Sequence, residues 1–109
     1  MAWLLRDGDV LASLEVAVGR RARRKGLLGR DGIEGALLLA PGRSVHSIGM
    51  RFPIDVAWLD GDLTVLRTVR LDRNRMTRPV VRARSVLEAE AGAFARWGLH
   101  VGDQLERKD

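Results

Sequence analysis

Alternating apolar and polar positions at the start of the chain predict a β-hairpin. Two short runs, 3–6 and 10–16, flank Asp7-Gly8-Asp9. Asp-Gly between apolar runs is a strong hairpin signal because both positions tolerate a positive φ. In the second run, Val10 and Val16 belong to the same face, since successive side chains of a strand point to opposite sides. We therefore predict two antiparallel strands joined by a tight turn.

The spacing of apolar residues changes after this hairpin and becomes loosely helical over residues 17–28. Gly26 and Gly29 are predicted to end this helix early. Five bases lie opposite its apolar positions, and they can be interpreted as a phosphate-binding cluster or as the solvated face of a short helix. No aromatic residue lies among them to stack on a nucleobase, which favours the solvated face. The five bases are Arg20, Arg21, Arg23, Arg24 and Lys25.

Two further strands and a second hairpin follow. The continuous apolar run 36–40 stops at Pro41-Gly42, and its length is typical of a strand that is buried on both faces. Residues 54–59 alternate at strand spacing. Asp60-Gly61-Asp62 then predicts a second hairpin turn, which leads into a strand over residues 63–69.

The last third of the chain predicts a loop, two strands and a helix. Residues 71–84 carry five arginines together with Asn74 and Pro79, a composition typical of a long loop. Residues 85–90 indicate a strand. Two helical turns over 91–97 and a short strand over 104–106 complete the chain.

Together these elements are about seven strands and two short helices. We predict a mainly β fold with short helices (α+β), arranged as a compact antiparallel β-sandwich or barrel-like single domain over residues 1–109. A chain of 109 residues has the length of one domain and can bury one core.

The amino-acid composition excludes several kinds of site. The chain contains no cysteine, which excludes a disulfide, a thiolate metal site and a cysteine nucleophile. Its first residues resemble neither a signal peptide nor a membrane span, so we expect a cytoplasmic protein with no membrane association. The net charge of +5 comes almost entirely from arginine. This charge is compatible with an anionic partner, although charge alone favours a genome-wide preference for arginine as its explanation.

The stretch 44–60 is the main candidate for a site because it mixes several chemical types among apolar strand positions. A carboxylate between Ile54 and Val56 is expected to be partly buried, and a buried carboxylate must be paired or hydrogen-bonded, or take up a proton. A methionine in such a stretch can line an adaptable pocket or fill the core. With one acidic residue from the later strand 85–90, the candidate ligand-binding residues are His46, Met50, Arg51, Asp55 and Glu88.

Three interpretations of this set stay open. In the structural one, Arg51 joins Asp55 to Glu88 in a buried ion network. In the second, Arg51 binds an anionic or hydroxylated ligand that the two carboxylates orient. The third is catalysis, either by the carboxylate pair or by His46 as a general base. The spacing of histidines and carboxylates matches no metal motif, so we predict no metal site and no cofactor.

Several motifs of the chain resemble one known family. The similarity lies in Gly26-Leu27-Leu28-Gly29-Arg30, in residues 45–56 with Leu59-Asp60, in residues 87–92, and in Gly98 with Gly102-Asp103. In this order and spacing they resemble the family called domain of unknown function 192, over about residues 16–105. The resemblance implies a compact β-sandwich or barrel-like domain with short helices, and it implies no activity.

We therefore predict a domain that binds a small polar or anionic ligand near the central stretch. The alternative is a basic module for nucleic acid or protein that uses Arg20–Lys25 and an arginine-rich loop over Arg67–Arg84. Catalysis by paired carboxylates ranks last. A monomer or a weak dimer is expected.

Overall fold

The computed structural model describes residues 2–109, which form seven strands and two short helices. The strands are β1 (Ala2–Arg6), β2 (Asp9–Ala17), β3 (Ala36–Leu39), β4 (Ile54–Leu59), β5 (Val65–Leu71), β6 (Ser85–Glu90) and β7 (Glu106–Lys108). The helices are α1 (Gly19–Lys25) and α2 (Ala93–Trp97). The prediction of a mainly β fold with two short helices is confirmed.

All seven strands belong to one sheet with the order β5-β4-β6-β3-β2-β1-β7. The strand pairs are antiparallel except β2 with β3, which are parallel. Such a pair needs a crossover connection, and the segment that contains α1 provides it. The sheet is open, and β5 and β7 are its edges. Thr64 forms a bridge with Gln104, and the Val65 N–H donates to the Asp103 carbonyl at 2.8 Å, so the two edges meet at one end.

Both faces of the central strands are covered. Every residue of β3 and β4 is buried, which explains why these strands have nearly continuous apolar sequences. On one side, here called the α2 face, Ala57 and Leu87 pack in a core that includes Phe94. On the other side, the α1 face, Val56 and Trp58 pack in a second core, to which residues near α1 contribute.

Several element boundaries differ from those predicted, most clearly in α1, β5 and the last strand. Helix α1 is shorter than the predicted 17–28, because residue 17 still pairs with Leu39 in the sheet. Strand β5 extends to residue 71, which pairs with Ile54. Arg67 and Arg70 therefore lie on a strand, although the alternative function assigned residues 67–84 to a loop. The last strand begins two residues later than predicted, where the chain pairs with β1. Neither helix of the described residues has the length and apolar character needed to span a membrane.

Candidate ligand-binding cleft

A cleft of about 380 Å³ lies on the α1 face, between helix α1 and the segment 41–46. We call it the α1 cleft. Its rim is basic and its walls are mostly aliphatic. The bases that line it are Arg20, Arg23, Arg24, Lys25 and Arg43. The aliphatic and thioether side chains are Leu27, Leu28, Leu39, Val45, Met50 and Val86. The remaining lining residues are His46, Glu88, Pro41, Gly42, Ser44 and the backbone of Gly26.

Helix α1 places positive charge along one side of the cleft. It has no fully buried residue and no acidic residue in its first turn, and its last turn is entirely basic. Only Ala22 of the helix packs against the core, so the bases extend away from it. The Arg23 Nη1 group donates to the Ala40 carbonyl at 3.3 Å, which links the helix to the opposite wall.

The opposite wall is fixed by the core. The indole Nε1 of buried Trp58 donates to the Arg43 carbonyl at 2.7 Å, and the Arg43 Nε donates to the Ala83 carbonyl at 3.2 Å. Gly42 approaches the sheet so closely that a Cβ there would lie 3.1 Å from the Leu39 carbonyl oxygen. The backbone that carries Arg43 is therefore held in place by hydrogen bonds and close packing.

Glu88 forms the floor of the cleft. It lies on β6, its residue is only 3% exposed, and its Oε1 atom has no hydrogen-bond partner among residues 2–109. Burial raises the pKa of Glu88 from 4.5 to about 7, because a desolvated carboxyl group favours its neutral form. A Cβ added to Gly26 would lie 3.2 Å from Glu88 Oε1, so the end of α1 packs directly over this carboxyl group.

The cleft thus separates positive charge from an unpaired acid. Five bases line it, yet within the described part of the chain none of them forms an ion pair with Glu88. A buried polar atom in a native fold normally has a partner. The arrangement leaves both the bases and the acid available to a molecule that enters the cleft.

Asp55 does not belong to this cleft. It lies on β4 directly opposite Ala89, whereas Glu88 is opposite Val56, and opposed residues share a face of the sheet. The two carboxylates therefore lie on opposite faces, and the grouping of Asp55 with Glu88 is wrong. The Asp55 Oδ2 accepts hydrogen bonds from the Gly92 and Phe94 N–H groups at 3.0 and 3.1 Å, so it serves as the N-terminal cap of α2.

Arg51 also lies outside the cleft. Its Nη1 forms an ion pair with Asp31 Oδ1 at 2.9 Å, with side chains that are 60% and 87% exposed. It contacts neither predicted carboxylate, so the buried network around Arg51 is not formed. Within residues 2–109 no three histidine, aspartate or glutamate side chains are grouped in a way that could hold a metal ion.

The structure combines two sets of residues that the sequence analysis treated as alternatives. His46, Met50 and Glu88 from the ligand set line the same cleft as four of the five bases of α1, and Arg21 is the exception. Arg43 and Gly26 also line the cleft but were not among the predicted site residues. The sequence marks Gly26 as the end of a basic helix and as part of the family motif, and Arg43 as a base directly after Pro41-Gly42, and neither signal indicates a site.

Two solved structures share this fold. One is a protein of unknown function from Novosphingobium aromaticivorans, with 21% identity and a TM-score of 0.77 over 96% of this chain and 82% of that one. The other, from Sinorhizobium meliloti, is described as a "putative transcription regulator", with 23% identity and a TM-score of 0.80 over 97% of this chain and 91% of that one. No curated protein matches the sequence.

The family comparison covers nearly the whole chain. Residues 3–107 match the model of the DUF192 family, which is described as "Uncharacterized ACR". The match includes most of β1, the α1 cleft, α2 and the start of β7. The chain belongs to the DUF192 family.

Proposed function

We propose that this domain binds a small anionic ligand in the α1 cleft. The observation that carries the proposal is the arrangement of five bases around a cleft whose floor is a buried carboxyl group without a partner. Four of the five bases extend from helix α1, which has no buried residue, so packing of the core does not require their charge.

The size and chemistry of the cleft support a small ligand. Its volume of about 380 Å³ lies within the range of ~300–1,000 Å³ that is typical of small-molecule sites. Arginine guanidinium groups bind carboxylate and phosphate oxygens in a bidentate geometry. Arg43 is the base best prepared for this role, because its backbone is fixed by Trp58 and less side-chain and loop ordering has to accompany binding.

Calorimetric titration with inorganic phosphate and with citrate tests the proposal. The test variant is Arg24→Gln/Lys25→Gln, which removes two charges from the cleft. The matched control is Arg73→Gln/Arg78→Gln, which removes two charges from exposed positions that do not line the cleft. We expect the test variant to weaken binding about tenfold or more and the control to change it less than threefold. Equal losses in both variants would mean that only net charge matters, and the proposal would fail.

Nucleic-acid binding is the second candidate function, because helix α1 and residues 67–84 are two segments rich in exposed basic side chains. Titration of a short oligonucleotide at several salt concentrations distinguishes the two functions. A nucleic-acid surface loses affinity linearly in log salt with a steep slope, and both double variants would then weaken binding alike. If the α1 cleft binds a small anion instead, we expect duplex oligonucleotides to bind weakly and with the same affinity whatever their sequence.

A further inference from the structure

We infer that the anion bound in the α1 cleft also carries a hydroxyl group, which Glu88 recognises. The ligand class is a hydroxylated anion such as a sugar phosphate or a sugar acid. This inference rests on the proposed function, because it assigns the floor of the same cleft whose rim binds the anion.

Glu88 has hydrogen-bonding capacity that the fold does not use. Its Oε1 is buried and has no partner in the described part of the chain, although the side chain lies in a sheet whose neighbouring positions, Leu37 and Val56, are apolar. A hydrophobic residue would suit this position better if packing were its only role. Because Glu88 lines the cleft, a bound ligand that contacts its carboxyl group can supply a hydrogen-bond partner that the fold does not.

The charges of the cleft select a hydroxyl group for this contact. A ligand ammonium group would be repelled by the bases of the rim, and a second anionic group would meet the Glu88 carboxyl group with like charge. A hydroxyl group is neutral and is both a donor and an acceptor. It therefore pairs with Glu88 whether the carboxyl group is ionised or protonated.

The walls of the cleft favour a saturated carbon skeleton. Leu27, Leu39 and Val86 contribute aliphatic surface, and among the described residues no Phe, Tyr or Trp side chain lines the cleft. Binding of a nucleobase typically uses stacking on a large aromatic ring, and the one ring in the lining of this cleft is the imidazole of His46. Aliphatic walls pack against the C–H groups of a sugar or a sugar acid.

Two pairs of anions of similar length test the inference by calorimetry. The phosphate pair is glucose 6-phosphate and hexyl phosphate, and the carboxylate pair is gluconate and hexanoate. In at least one pair, we expect the wild-type protein to bind the hydroxylated anion about tenfold more tightly than the alkyl anion. In Glu88→Leu we expect this preference to disappear while the affinity for the alkyl anion changes less than threefold. The matched control is Glu90→Leu, the same change at an exposed residue of β6 outside the cleft.

The outcomes separate the inference from the proposed function. If the wild-type protein binds both members of each pair equally, or if Glu88→Leu keeps the preference, the inference is overturned and anion binding stands. If none of the four anions binds, the proposed function fails and the inference fails with it. Should Glu88→Leu not fold, Glu88→Gln replaces it and the wild-type comparison decides, because the preference is measured there without any substitution.

Discussion

Asp55 and Glu88 lie on neighbouring strands, one residue apart in register, and point to opposite faces of the same sheet. Each is buried, at 8% and 3% exposure, but only one has partners. Asp55 accepts two backbone hydrogen bonds from the start of α2, whereas Glu88 Oε1 has none among residues 2–109. One carboxylate therefore stabilises the fold, and the other is the candidate for function.

Replacement of Asp55 is expected to lower stability without changing anion binding. Asp55→Ala removes the acceptor for two N–H groups that no side chain of the helix itself caps, which costs about 2 kcal/mol in the free energy of unfolding. Urea denaturation measures this loss. Asp31→Ala removes an exposed ion pair instead and should change the free energy by less than about 0.5 kcal/mol.

Measurement of anion binding by the same variant tests whether Asp55 lies outside the ligand site. Asp55→Ala, while folded, should bind phosphate with the affinity of the wild-type protein, because Asp55 lies on the α2 face. A folded Asp55→Ala protein that no longer binds phosphate would place the ligand on that face and contradict the assignment of the α1 cleft.

The raised pKa of Glu88 predicts that stability falls with increasing pH. The folded state holds this proton more tightly than the unfolded chain, with a pKa of about 7 against 4.5. The resulting contribution to stability is complete below pH 4.5 and is lost as pH rises through 7, and it amounts to about 3 kcal/mol at most. Urea denaturation at intervals from pH 4.5 to pH 8 measures it.

Glu88→Gln isolates this effect, because the amide has nearly the same shape and does not titrate. We expect Glu88→Gln to gain stability relative to the wild type as pH rises from 5 to 8. A constant difference between the two proteins over this range would show that the Glu88 pKa is not raised.

Local sequence patterns predicted the strands well but not the face to which each one turns. Strands β4 and β6 begin and end where predicted, since alternation and flanking turn residues are local signals. Whether Asp55 and Glu88 share a face depends instead on the register between these strands. A shift of one residue would bring the two carboxylates together, and no local signal sets a register between strands that are about thirty residues apart.

The α1 cleft also depends on how distant strands pair, which local sequence patterns do not show. Its two sides, the end of α1 and the segment around Arg43, are separated in sequence by β3 and become neighbours only because β2 and β3 are parallel. The bases of α1 and the residues His46, Met50 and Glu88 were all predicted from the sequence as candidates, but for competing functions. Only the tertiary arrangement places them around one cavity.

Gly26 provides a test of how closely α1 packs over Glu88. Its φ of +50° is accessible to glycine and unfavourable for other residues, and an added Cβ would approach Glu88 Oε1 to 3.2 Å. Gly26→Ala combines both effects, and we expect it to lower the free energy of unfolding by about 2–3 kcal/mol at pH 8.

The matched control is Gly29→Ala, which has a φ of +84° but no neighbouring atom within 4 Å, so it reports the backbone effect alone at about 1–2 kcal/mol. Because the added methyl group would crowd the Glu88 carboxyl group at the floor of the cleft, Gly26→Ala should also weaken binding of the anions that bind the wild-type protein, whereas Gly29→Ala should leave it unchanged. Equal stability and equal anion affinity in the two variants would mean that the end of α1 does not control access to Glu88.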